Sequence, residues 1–174
     1  MRCLLLSSTA LLCAVAAPRA AAGQRPPELA PNAPKDKPVA AVLECQRAAM
    51  YQAIEPYAAR ARASYPSVRR RFLAGLPPRH TLFVTTRLRD AAGREEQVFV
   101  AVDGIRGSVI HGRIWSQIGV VDGFRLGQPY AFPDADLVDW TIARPDGSEE
   151  GNLVGKFLDT YAPPASCAEP GRAG

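Results

Sequence analysis

Residues that do acid–base or metal chemistry at neutral pH are scarce in this chain. Of its 174 residues only two are histidines, His80 and His111. Metal centres draw on several convergent His, Cys or carboxylate ligands. Both histidines therefore read as loop or sheet residues, and neither a metal nor a cofactor is expected. A Ser-His-Asp site would have to use Ser116, His111 and a remote acid, but no nucleophile elbow precedes Ser116. No catalytic residue is assigned. No internal repeat of solenoid length is present. Long apolar runs are missing as well. The run from Leu4 to Ala17 is too short to cross a bilayer as a mature helix, so no transmembrane segment is expected in the mature chain.

That short run has a different use. Arg2 precedes it, and Ala20-Ala21-Ala22 follows as a small-residue cleavage site, the pattern of a secretory signal over residues 1–22. The alternative is an uncleaved anchor. A lipoprotein signal fits less well, because Leu12 precedes Cys13 where processing wants a small residue. Export places the protein in the periplasm or outside the cell. Cleavage removes Arg2 and Arg19, leaving 19 basic and 17 acidic residues, so the formal charge falls from +4 to +2. So weak a charge argues against a nucleic-acid partner.

Cleavage also removes Cys3 and Cys13. Cys45 and Cys167 remain, an even pair in an oxidising compartment and a disulfide candidate. Such a bridge would stabilise by up to about 4–5 kcal/mol in the chain-entropy description.

Residues 23–38 hold five prolines and almost no bulky apolar side chain. They read as a linker that cannot bury enough surface to offset its ordering entropy. A single domain is expected over 39–162 and a loose tail over 163–174. Val39 to Ala63 is helical in character, with a break expected at Glu55 before Pro56. A second helix is expected from Tyr65 to Leu76, capped by Ser64 and stopped by Gly75 and Pro77-Pro78. From Thr81 the apolar period becomes two. Thr81 to Leu88, Gln97 to Val102, Ile105 to Ile110, Gly112 to Val121, Tyr130 to Phe132 and Val138 to Ala143 read as strands. Turns are expected at Asp90 to Gly93, at Asp103-Gly104 and at Pro145 to Ser148. Bulges or bends are expected at Gly107, Gly112 and Gly119. Val154, Phe157, Leu158 and Tyr161 have helical spacing. Helices followed by strands with short turns give an α+β fold: N-terminal helices, then a strongly bent antiparallel sheet or small barrel-like meander, and a short C-terminal helix.

Charge is unevenly distributed. Residues 60–94 contain nine arginines and one acid, Asp90, while residues 134–159 contain seven acids against Arg144 and Lys156. The two halves either pair internally or leave a basic face for an acidic partner. Asp134, Asp136 and Asp139 form the densest acidic stretch. It reads first as structural, then as a calcium, partner or acid–base site. Trp115, Trp140 and Tyr130 read as core. If Trp115 is instead exposed beside Arg113 and Phe124, it makes a hot-spot cluster.

Tyr65-Pro66, Phe72-Leu73, Leu82-Phe83-Val84, Glu95-Glu96 before Val98-Phe99-Val100, and above all Asp139-Trp140 with Asp146-Gly147 and Gly151, together resemble the YegJ-like bacterial family, domain-of-unknown-function family 2314. The resemblance spans roughly Ala48 to Tyr161. Phe99 stands where that family often has tryptophan. It implies a small domain of unassigned activity and carries over no catalytic residue. The leading expectation is an exported, non-enzymatic module that binds an envelope protein or an anionic polymer. Its candidate contact residues are Asp139, Trp140, Trp115 and Arg113. The alternatives are a small hydrolase or ligand-modifying enzyme using the Asp134–Asp139 stretch, and a purely structural role.

Overall fold

The computed structural model describes residues 44–165. The expected signal, linker and Cys167 lie outside the described residues, and with Cys167 the expected bridge. The element order is α1 (Glu44–Ala74), β1 (Thr81–Arg89), β2 (Glu95–Arg106), β3 (Val109–Ile114), β4 (Pro129–Pro133), a 3-10 turn (Asp134–Asp136), β5 (Asp139–Ala143), β6 (Glu149–Gly151) and α2 (Leu153–Leu158). The fold is α+β. No helix among the described residues is long and apolar enough to cross a membrane.

One helix stands where two were expected. α1 runs for 31 residues straight through Pro56 and Pro66. Its buried stripe is Met50, Ile54, Ala58, Ala61, Tyr65 and Val68, spaced four, four, three, four and three residues apart. Both prolines fall off this stripe and are exposed. Each removes one backbone donor at a cost of about 3 kcal/mol. Burying six side chains on one continuous face outweighs that, because packing rather than propensity sustains most protein helices. Ser64 is therefore mid-helix, not a cap. Its hydroxyl lies 3.0 Å from the carbonyls of both Arg60 and Ala61. The helix does stop at Gly75, whose N–H reaches the Phe72 carbonyl.

The six strands form one antiparallel sheet in the order β4-β3-β2-β1-β5-β6. β1 to β4 is a meander, and β5 returns to the free side of β1. The expected hairpin at Asp103-Gly104 is instead a register shift within β2, and the chain turns at Gly107-Ser108. The bulge keeps Ile105 buried while bending the strand. The expected strand beyond Ile114 is a loop from Trp115 to Gln128. Gly112 lies inside the ladder opposite Val102 rather than at a bend. A Cβ there would strike the Ala101 carbonyl and lie 2.8 Å from Val100 Cγ1.

The sheet is strongly bent. The Asp134 N–H donates to the Ser108 carbonyl, and two residues later the Asp136 carbonyl accepts from Thr86 Oγ1. Thr86 pairs with Val98, ten residues before Ser108. A flat sheet would separate those points by about 33 Å, yet the connection bridges them in three residues. The sheet curls but does not close into a barrel: β4 and β6 are both edges. β4 has proline at each end and β6 has only three residues, which blunts both edges against further pairing.

The concave face holds the main core: Leu82, Val84, Leu88, Val98, Val100, Ile110, Ile114, Phe132, Leu137, Trp140 and Ile142. The second half of α1 closes it with Ala61, Tyr65 and Val68. The first half packs on Val138 and on Val154 of α2. Arg71 forks onto Glu150 at 2.5 and 3.0 Å, and Arg144 reaches the same carboxylate at 3.2 Å. The basic and acidic halves thus pair internally at this point.

Candidate functional site

Strand parity places the four candidate contact residues on opposite sides of the sheet. Trp140 faces the core and is 7 % exposed. Its indole N–H lies 2.9 Å from Ser64 Oγ and 3.2 Å from the Ala61 carbonyl, so it ties β5 to the middle of α1. Gly151, at φ 81°, passes directly over this ring. A Cβ there would lie 2.6 Å from two of the indole carbons, so only glycine fits.

Asp139 is 1 % exposed. Its Oδ1 accepts the Trp140 N–H at 2.8 Å and its Oδ2 the Val154 N–H at 2.6 Å. The Gly155 N–H, next in the turn, also favours the ionised carboxylate. The residue preceding α2, Asn152, makes no side-chain cap bond. Asp139 therefore caps α2 from a neighbouring strand, filling the orphan amides of the first turn. Burial pushes its carboxyl up to about 6, against the opposing pull of the Val154, Trp140 and Gly155 N–H groups and of Lys156.

The other acids of the stretch do not join it. Asp134 is half-buried and Asp136 exposed, on the turn between β4 and β5. Among the described residues no three His, Cys, Asp or Glu side chains converge as a metal site requires. Ser116 is buried and its Oγ accepts the Phe99 N–H at 2.9 Å. His80 sits in the loop before β1, its Nδ1 at 3.2 Å from the Pro78 carbonyl.

The convex face is different. Phe83, Ala101 and Ala143 form a small buried layer there, with the half-buried rings of Phe99 and Trp115 packed on it. Arg113 pairs across the ladder with Ala101 and so shares this face, and His111 lies two residues back along β3. Arg113 reaches Asp103 loosely, at 3.7 Å, and the Gly127 carbonyl at 3.3 Å. Trp115 and Arg113 are thus brought together. Phe124, expected beside them, packs instead on the core side against Tyr130.

Sequence reasoning passed over two carboxylates that shape this region. Glu96 accepts the N–H groups of Gly119, Val120 and Val121 at 2.8–3.2 Å, a nest of successive amides filled by the protein's own anion. Asp90 accepts the Asp122 N–H at 3.1 Å. Together they pin the loop that follows Trp115. No short-range pattern could have revealed them, because their partners lie 23 to 32 residues away.

No protein-family model matches the chain, and no curated protein or solved structure does either.

Proposed function

We propose that this chain is a small exported binding module of the cell envelope, related to the YegJ-like family, and that its convex sheet face takes an anionic polymer. One observation carries the reading: two half-buried aromatic rings, Phe99 and Trp115, share that face with Arg113. Aromatic and arginine side chains on a rigid support supply most of the binding energy of many interfaces. The pinned loop beyond Trp115 supports the face by limiting the ordering cost of binding. The hydrolase alternative loses its central residue, because the Asp139 carboxylate is engaged by two backbone N–H groups, those of Trp140 and Val154.

The test is a fluorescence titration of the mature chain with poly(glycerol phosphate), using dextran as the uncharged control. Binding should perturb Trp115 emission, weaken with salt and disappear in Trp115→Ala with the fold intact. Equal binding by Trp115→Ala, or no difference between the two polymers, would overturn the proposal. Native mass spectrometry of protein purified from its own compartment would reveal a stoichiometric protein partner instead.

A further inference from the structure

A second site lies where α1 crosses the end of β1. A cleft of about 300 Å³ opens there. Its charged lining is Glu55 and Arg62 from α1, Arg87 and Arg89 from β1, Glu95 from β2 and Asp136 from the turn before β5. Four of these six charges are matched: Arg62 pairs with Glu55, and Arg89 with Glu95. Two are not. Among the described residues neither Arg87 nor Asp136 forms an ion pair. Both line the same cleft, where the Thr86 hydroxyl donates to the Asp136 carbonyl at 3.0 Å.

Arg87 is also held in place. Its guanidinium carbon lies 4.1 Å from the centre of the Tyr51 ring, a cation–π contact that fixes the plane and leaves the N–H edges without a hydrogen-bonding carboxylate. Its Nε is buried with no hydrogen-bond partner. Directly across the ladder is Gln97, whose Oε1 is likewise buried and unpartnered. An orphan donor and an orphan acceptor, side by side, each carry the full cost of desolvation. Among the described residues Arg87 is thus without an anionic partner, and Asp136, exposed on its turn, without a cationic one.

We propose that this cleft binds a zwitterion bearing an amino group and a carboxylate, an amino acid or a short peptide end. The carboxylate meets Arg87, whose fork suits it in a way a lysine would not. The ammonium meets Asp136. A simple anion is disfavoured by Asp136, and a simple cation by Arg87. The available volume admits a single amino acid or a dipeptide and excludes a folded domain. The site uses neither Trp115 nor Arg113, so either reading can fail without the other.

The experiment is an NMR titration of the mature protein with alanyl-alanine, its N-acetyl form and its C-terminal amide. Alanyl-alanine should shift the amides of Thr86, Leu137 and Val138. Each derivative, lacking one charge, should bind at least about tenfold more weakly. Arg87→Met should bind the dipeptide and its amide equally weakly. Asp136→Asn should bind the dipeptide and its N-acetyl form equally. Both variants are checked for an unchanged fold by their spectra. N-acetyl-alanyl-alanine binding as tightly as the free dipeptide would replace the zwitterion site by a plain anion site and overturn the proposal. So would the absence of any shift up to about 10 mM ligand, or variants that alter thermal stability alone.

Discussion

The two tryptophans divide the molecule. Trp140 lies on the concave side of the sheet, nearly fully buried, with its N–H held by α1. Trp115 lies on the convex side, half-buried on Phe83 and Phe99. The same side chain is a structural pin in one place and a candidate contact surface in the other. Composition does not distinguish them. What does is the side of the sheet, and only the concave side receives the second half of α1.

The contrast can be broken most severely at Trp140. Trp140→Ala removes a large buried ring and leaves Ser64 and the Ala61 carbonyl without their donor. A loss of about 3–5 kcal/mol is expected in chemical denaturation. A loss below about 1 kcal/mol would mean that α1 does not depend on this pin.

Asp139→Ala should come next, at about 3 kcal/mol, because two buried amides, those of Trp140 and Val154, lose their acceptor. The effect belongs to folding, so binding to poly(glycerol phosphate) by the folded fraction should be unchanged. Binding lost with the fold intact would return Asp139 to the functional residues.

Titration of Asp139 sharpens the comparison further. Its carboxyl is raised from 3.8 to about 6 in the folded chain, chiefly by burial. The folded state therefore holds this proton more tightly than the unfolded state. The resulting stabilisation is fully present below pH 3.8 and is lost as pH rises through about 6, a change of about 3 kcal/mol. Asp139→Asn cannot titrate and should lack this component of the pH profile. Stability rising over the same window in the wild type relative to Asp139→Asn would show that the amide bonds, not burial, dominate.

The smallest effect is expected at Trp115. Trp115→Ala should cost about 1 kcal/mol or less in stability, while abolishing the polymer response. A stability loss matching that of Trp140→Ala would make Trp115 core and remove the difference between the faces.

Much of the architecture was legible locally. The change to period two at Thr81, the turns at Asp90 to Gly93 and Pro145 to Ser148, and the stop at Gly75 all depend on neighbouring residues, and each appears where expected. The stripe from Met50 to Val68 was also present in the sequence, running past both prolines. Weighting the proline breaks above the stripe gave two helices where burial produces one. Asp103-Gly104 has the composition of a tight hairpin turn, but pairing with β3 continues to Arg106, so the ladder absorbs the extra residue as a bulge.

The candidate sites were legible only in part. Trp115 and Arg113 share a face, as their spacing of two along one extended segment allowed. Asp139 was identifiable as an unusual acid but not as a cap, because α2 reaches it only after the β5–β6 hairpin brings Val154 back. The cleft at Arg87 was not legible at all. It combines α1, two strands and the turn before β5, and its unmatched charges emerge only after Arg62 and Arg89 have taken Glu55 and Glu95.

The sequence alone determined the α+β class, the strand period and most turns, because dihedral preference and apolar alternation act over a few residues. Tertiary structure decided the single long helix, the curl of the sheet, the cap on α2 and which side chains gather at the two candidate sites. Those depend on which surfaces meet across the fold, and on burial energies large enough to override local preference.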